Sequence, residues 1–473
     1  MILFAVFIVI AAGVATALVW QPRQALVAGV AIAVLATCCL LFLIMASGET
    51  LGLGGAQLVA TPFARFFLVT AAAGFLTAVL VGAAHGAPRN LALAALTGLA
   101  ALTAALTVTD PAAALLAVTA AGLAGLVATV GEPVSMPMLR VAADGLKLAA
   151  VAGLLGMAGI ALVGNVAGAP ASQMVGTGVL AVGAAVAVRL GAAPAHIPAA
   201  RLVETARLAA IPLVAVWLPA GFAVVGLSWM ESIVVGTAAS TPIAHLTLAV
   251  VGAIAIGLAG AVALLDDDLG RLLGYGLIAD GGFVVLATAS SDPAAFAAAR
   301  TWLVCLGISR TVMAASVLAL EGTFATRRVR DLNGWLRRMP VTGLALLLAA
   351  LVGVGLPTML PFEARRTLAV LALGDGFGLV VLLLGALPLL GLARLAWVGL
   401  RPPGAAVTAN RGEWPVQLPD RALPVRRRLQ LAWQLDRLPI TSVAVLLLGL
   451  ISLLIAFGIG DLTGAAAAAA PGS

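Results

Sequence analysis

The stretch V-L-A-V-G-A-A-V-A-V-R-L-G-A-A-P-A-H, residues 179–196, runs ten apolar or small residues into a single arginine, Arg189, and then breaks on glycine and proline. An ionisable group at membrane depth costs about 3 kcal/mol or more, so such a residue is by default a functional candidate. Asp280, Arg310, Arg365 and Arg394 also sit in or beside long apolar runs. Around them, 63% of the 473 residues are hydrophobic, 10% are charged, and mean hydropathy is +1.16. A soluble domain is about half apolar and about a quarter charged. The excess is spread along the whole chain, which describes an all-α polytopic membrane protein rather than a soluble domain with an anchor. Met1 opens directly into an apolar helix without a basic leader, so that helix reads as a retained span.

A span needs about 20 apolar residues. Helices are expected near 2–20, 24–46, 63–84, 90–108, 111–130, 142–164, 173–191, 211–230, 245–265, 271–289, 299–320, 341–358, 368–399 and 440–460. That is about fourteen transmembrane helices. Prolines and glycines at 194–198 and 355–361 predict two broken helices, with the piece around 359–367 set apart. Broken backbone survives at membrane depth only inside protein or beside a wet cavity. Residues 1–400 form the transmembrane domain, 401–438 a basic loop, and 439–473 a last helix with an Ala-rich tail that reads as frayed. In the loop, R-R-R-L-Q-L-A-W-Q-L-D-R-L (426–438) reads either as an interfacial helix or as a basic loop anchored by Trp433.

Basic residues (Arg23, Arg89, Arg140, the 201–207 cluster, Arg327 to Arg338, and 401–438) follow odd-numbered helices. Glu49, Asp110, Glu231 and Asp292 occupy the other loops. The positive-inside rule then puts the basic loops in the cytoplasm of a prokaryotic inner membrane and both termini outside. The net charge of +7 is carried by loops and calls for no nucleic-acid partner. Lys147 is the one lysine among 26 basic residues. Cys38, Cys39 and Cys305 lie in apolar runs without metal-ligand spacing and read as core residues. No His/Cys/Asp cluster has metal spacing, and no nucleophile–base pair stands out.

Three stretches carry more. They are R-L-G-A-A-P-A-H (189–196), R-L-L-G-Y-G-L-I-A-D-G-G-F (271–283), and D-L-N-G-W-L-R-R-M-P-V-T-G (331–343) leading to G-V-G-L-P (353–357). Arg271, Tyr275, Pro194, Asp331, Gly334 and Pro357 occupy their motif positions. Together they resemble the antiporter-like membrane subunits of respiratory complex I, of group 4 membrane-bound hydrogenases (hydrogenase-4 component F-like) and of Mrp-type cation/proton antiporters. The R-M-P-V-T-G segment leans towards the hydrogenase type. The resemblance implies an inverted-repeat antiporter-like fold, as suits a transporter. It also implies a half-membrane-depth row of titratable residues that moves protons.

Carried over residue by residue, the row is altered. The resemblance puts the helix-seven lysine on Arg189, the helix-eleven lysine on Arg310 and the helix-twelve charge on Arg365. The motif histidine falls on Asp280, the helix-eight lysine near Ala220, and the helix-five glutamate near Gly122 or Leu123 in an all-apolar helix. Glu132, the nearby acid, reads as an interfacial loop residue. A lysine desolvated in the bilayer can load and release a proton; an arginine stays protonated. Arg189, Arg310 and Arg365 are therefore expected to anchor water, to pair with Asp280, Glu204 or Glu363, or to hold a fixed positive field. Two readings stand for Arg189: a snorkelling helix-end residue, or a buried fixed charge inherited from a proton path. His196 reads as a proton carrier or as a brace for free carbonyls. His85 and His245 read as interfacial, and Asp266, Asp267 and Asp268 as a solvated turn or a partner contact beside Arg271.

The function implied is an integral membrane subunit of a complex I-like or group 4 hydrogenase-like redox complex, with proton translocation weak, altered or lost. Its partners are other membrane subunits, a peripheral redox arm and the bilayer. The chain itself binds no cofactor; iron–sulfur, nickel–iron or quinone centres reside in partner subunits. The alternatives are an Mrp-like cation/proton antiporter, the membrane half of an ion-driven inorganic-carbon uptake system, or a non-pumping scaffold.

Overall fold

A computed structural model describes residues 1–20, 23–53, 56–85, 90–126, 136–164, 172–205, 208–237, 242–402 and 439–468. Helices α1 (Ile2–Val19) and α2 (Gln24–Ile44) lead into a short antiparallel hairpin, β1 (Thr50–Leu53) and β2 (Ala56–Val59), registered with Thr50 opposite Val59. This hairpin is the one sheet among the described residues. The rest is helical: α3 (Pro62–Ala84), α4 (Leu91–Thr107), α5 (Pro111–Leu126), α6 (Met136–Gly164), α7 (Ser172–Arg189) and α8 (His196–Thr205). A single turn (Leu208–Ala210) and a π-helical turn (Pro212–Trp217) then run into α9 (Leu218–Thr237), followed by α10 (Pro242–Leu265), α11 (Leu269–Ala287) and α12 (Pro293–Phe324). The chain continues through α13 (Trp335–Arg338), α14 (Pro340–Val354), α15 (Leu360–Leu373), α16 (Asp375–Leu384), α17 (Pro388–Leu400), α18 (Pro439–Ala456) and α19 (Leu462–Ala467). Among the described residues nine helical segments are long and apolar enough to cross a membrane, and five shorter apolar helices accompany them.

Helix starts follow local chemistry. Thr61, Asp110 and Asp292 precede prolines at the first helical position and accept from Ala64 N (3.1 Å), Ala113 N (3.0 Å) and Ala294 N (2.8 Å). Proline there has no N–H to orphan, and the cap satisfies a donor that the helix cannot. The innermost helices are α9, α11 and α12, almost wholly buried, whereas α1 and α2 leave most of their apolar surface on the outside. With no water to drive association, small residues let helices approach closely. A Cβ on Gly159 would stand 2.8 Å from the Gly178 carbonyl oxygen, and one on Gly178 3.0 Å from that of Gly159.

Trp217 is the wedge at the centre. It is fully buried, its Nε1–H donates to Thr311 Oγ1 (3.0 Å), and Phe67 meets its ring edge-on at 5.3 Å. Gly74 and Gly307 make room for it: a Cβ on Gly307 would lie 2.7–3.0 Å from the six-membered ring. Gly307→Ala is expected to overpack the site and cost about 1–3 kcal/mol, read as a lowered melting midpoint. An unchanged midpoint would show that the ring has slack.

The two helix breaks lie where the prolines and glycines put them. After α7, Gly191 adopts φ +72°, its N–H donates to Val188 O (3.1 Å), and Ala192 N–H reaches back to Ala187 O (2.8 Å). That double bond is a Schellman motif, which satisfies terminal carbonyls with backbone alone. After α14, Gly355 (φ +71°) turns the chain, and a Cβ there would meet Phe362 N at 2.5 Å.

Some expectations need correction. The helix expected over 368–399 is divided: 368–373 ends α15, because Gly374 (φ +77°) terminates it, and the chain restarts as α16 and α17. The Ala-rich tail is not frayed through 467. Asp461 caps α19 by accepting from Gly464 N (3.2 Å), and Leu462 and Ala466 are buried. The interfacial segment 426–438, Arg89, Arg207 and Glu132 lie outside the described residues.

Candidate functional site

Asp280, Arg310 and Arg365, all buried, and the half-buried Arg189 form a row of charges beside α11. At its first end, Arg189 occupies the last turn of α7, where a cation complements the carbonyl end of the helix. Its Nε and Nη2 are closed off from solvent and have no hydrogen-bond partner. The side chain lies against helix α5: a Cβ on Gly122 would come within 2.4 Å of Arg189 Nη2. Beside it is a cavity of about 50 Å³ whose walls include Gly145, Leu202, Gly274 and Leu277. Leu190, the next residue, packs its carbonyl on α11 at Gly281.

In the middle, Arg310 of α12 donates through Nε to Asp280 Oδ2 (2.5 Å), with the two side chains only 6% and 4% exposed. Nη1 of the same guanidinium contacts Met313 Sδ at 3.0 Å, and Nη2 reaches Gly276 O at 3.5 Å. A Cβ at Gly276 would touch Arg310 Nη1 at 2.9 Å, so glycine there admits the guanidinium. Trp302 Nε1–H donates to the Asp280 backbone oxygen (3.1 Å) and fixes α12 against α11.

At the far end, Arg365 of α15 reaches back across the second break. Its Nη1 donates to Val354 O (2.7 Å) and Gly353 O (3.4 Å), the last carbonyls of α14. The guanidinium lies over the rings of Phe283 (4.4 Å) and Trp302 (5.4 Å). The two breaks are thus closed differently. The first uses its own backbone and leaves Arg189 unpaired; the second uses Arg365 as its cap.

Residues 134–387, just over half of the chain, match the family described as "NADH:quinone oxidoreductase/Mrp antiporter, TM". The chain belongs to this family. A relative, NADH-quinone oxidoreductase subunit N 2 of Syntrophobacter fumaroxidans, is 28% identical over 136 residues, which is 29% of this chain and 29% of that protein's length. The fold is shared with a chain of the Mrp complex from Dietzia sp. DQ12-45-1b (TM-score 0.73, 18% identity, 98% of this chain and 96% of that one). It is also shared with a chain of respiratory complex I from Thermus thermophilus (TM-score 0.74, 18% identity, 99% and 100%). The chain is therefore a multi-pass, antiporter-like membrane subunit, as its three motifs imply.

Against the relay that the resemblance implies for this antiporter family, the other positions read as follows. Of the positions near which the resemblance puts the helix-five glutamate, Gly122 is buried and Leu123 half-buried, and Ala220, near the helix-eight position, is buried. His196 opens α8 with Nδ1 buried and without a hydrogen-bond partner. Glu204 stands apart from the row: its side chain is 33% exposed and pairs with Arg271 (2.8 Å), while Arg327 Nη1 donates to its backbone oxygen. Glu363 is exposed and meets Arg366 at 3.5 Å. The acidic turn is ion-paired rather than free: Asp266 with Arg271 (3.6 Å), and Asp267 with Arg394 (2.5 Å) and Arg330 (3.3 Å). Asp268 caps α11 by accepting from Arg271 N (3.0 Å). Of the motif residues, Tyr275 is half-buried, Pro194, Pro357 and Asp331 are exposed, and Gly334 turns the chain at φ +76°. Lys147 is exposed beside Asp144 (3.2 Å), and His85 contacts Val81 O through Nδ1 (2.9 Å). Among the described residues no group of three or more His, Cys, Asp or Glu could hold a metal ion.

One buried pair was not foreseen. Glu231, taken for a loop acid, is a buried residue of α9 and forms an ion pair with Arg300 of α12, the two side chains 5% and 0% exposed. Arg300 Nη1 also donates to Ala466 O (3.0 Å), tying α19 to the core. The sequence signal was available. Asp292-Pro293 is a helix-start signature, and it places Arg300 two turns inside α12.

Proposed function

We propose that this chain is an integral membrane subunit of a larger redox or ion-translocating complex in which the antiporter-type charge row serves as a fixed positive field rather than a proton relay. One observation carries the reading. The guanidinium of Arg189 packs directly on Gly122, in the stretch (near Gly122 or Leu123) where the resemblance would put a tuning carboxylate, and no described acid pairs with it. Arginine keeps its proton in proteins at any physiological pH. A row of Arg189, Arg310 and Arg365 therefore lacks the loading and release steps that a desolvated lysine provides.

The complex I and Mrp neighbours are multi-subunit assemblies, which supports membrane partner subunits and, for the redox reading, a peripheral arm. Any iron–sulfur, nickel–iron or quinone centre would belong to those partners. A prokaryotic inner membrane is the setting that fits, with the ion-paired end around Arg271, Arg327, Arg330 and Arg394 in the cytoplasm and both termini outside.

The test is the proton stoichiometry per turnover of the purified complex in proteoliposomes. Arg189→Ala is expected to leave it unchanged. A collapse in Arg189→Ala, with assembly intact, would overturn the fixed-charge reading and favour ion passage through this subunit. The subunits that co-purify with the chain separate a redox complex from an Mrp-like antiporter or an inorganic-carbon uptake system.

A further inference from the structure

A half-buried guanidinium whose Nε and Nη2 are closed off from solvent and without a partner raises the question of its counter-charge. Isolated buried charges are strongly disfavoured, and proteins pair them or shed them by changing protonation. Arginine cannot shed its charge. The buried arginines each have at least one strong partner, although Arg300 Nε and Arg365 Nε and Nη2 are themselves unbonded. Arg300 has Glu231, Arg310 has Asp280, and Arg365 has two carbonyl oxygens and the faces of two aromatic rings. Arg189 has none of these, and its Nε and Nη2 have no protein partner.

It does have space. The cavity of about 50 Å³ beside it is walled by Arg189 together with aliphatic and small residues such as Gly145, Leu148, Leu202, Val214 and Leu277. A space of that size admits water or a small ion against the guanidinium. Among the described residues the lining brings no carboxylate to compete for the cation. Helix α5 contributes Leu126 to the lining, and its Gly122 leaves room for the guanidinium itself.

We propose that the Arg189 cavity binds one small monovalent anion of halide size, which supplies the counter-charge that the chain omits. The inference rests on the fixed-charge reading of Arg189. A guanidinium bond to an ionised acceptor is worth about 1.5–3 kcal/mol, so losing it weakens binding roughly ten-fold or more. Sulfate and carboxylates, larger than a halide and more strongly hydrated, are expected to compete poorly.

Equilibrium binding of radiolabelled chloride to the full chain in neutral-lipid nanodiscs tests this, at constant ionic strength made up with gluconate. The wild type is expected to bind one chloride per chain saturably, displaced by bromide and not by sulfate. Arg189→Met is expected to weaken this at least roughly ten-fold. Gly122→Asp provides a second route, since it places a carboxylate beside Nη2 and should abolish chloride binding with the fold intact. Retention of the fold is read from protection of the buried Cys305 thiol against maleimide. Absence of saturable chloride binding in the folded wild type would overturn the inference, because water alone would then fill the cavity. So would chloride binding unaltered in both variants. Either result leaves the fixed-charge reading standing, since that is judged separately by proton stoichiometry.

Discussion

Arg300→Met is expected to destabilise the protein by roughly 3–5 kcal/mol, the usual cost of stripping one partner from a buried ion pair. Glu231 would be left as a carboxylate that is 5% exposed, with its cation gone. The Ser228 hydroxyl, which meets Arg300 Nη2 at 3.5 Å, is too weak a substitute. The Ala466 carbonyl would also lose its donor, and with it α19 would lose its tie to α12. Cys305 lies buried on α12 and reports directly on opening of this region through its reaction with maleimide on heating. The midpoint should fall by about 5–10 °C. A well-packed apolar pair is often as stable as a buried ion pair, so Arg300→Met combined with Glu231→Leu should recover most of the loss. A single variant that melts with the wild type would show that Glu231 is neutralised by other means.

That pair also shows what the sequence could and could not disclose. Charges embedded in the middle of apolar runs, such as Arg189, Asp280 and Arg310, announced themselves because nothing else in a span is ionisable. Arg365 was found beside a break whose glycine and proline were equally plain. Glu231 and Arg300 were hidden by their position near helix ends, where a shift of a few residues separates a loop from a buried turn. Helix α9 continues to Thr237 and α12 begins at Pro293, which draws both side chains inside. Partners were harder still. Nothing in a one-dimensional pattern says that Asp280 meets Arg310, thirty residues on, or that Arg365 caps α14. Those pairings depend on how α11, α12 and α15 pack around Phe283 and Trp302. The missing carboxylate near Gly122 or Leu123 was legible as an absence; that the guanidinium of Arg189 lies against Gly122 required the fold.

Asp280→Leu should be the most damaging change in the row itself, again by roughly 3–5 kcal/mol, and more so than removal of its own partner. Asp280 bonds Arg310 at 2.5 Å and also lies within electrostatic reach of Arg365. Arg365 in turn feels both Asp280 and Arg310. One carboxylate therefore serves two buried cations. Without it, Arg310 and Arg365 lie within electrostatic reach of each other with no counter-charge between them, in a medium where like charges repel strongly. The ring faces offset part of this for Arg365, by about 2 kcal/mol when desolvated, and do nothing for Arg310. Arg310→Met is different, because Asp280 keeps Arg365 as a counter-charge and the methionine fills the vacated space; about 1–2 kcal/mol is expected. The double variant Asp280→Leu/Arg310→Met removes the repulsion but strands Arg365, so its midpoint should fall between the two single variants. This ordering separates the row from the Glu231–Arg300 pair, where the double variant recovers most of the loss. If Arg310→Met proved the most severe of the three in the Cys305 melting assay, Asp280 would be serving Arg310 alone, and the three charges would not act as one electrostatic unit.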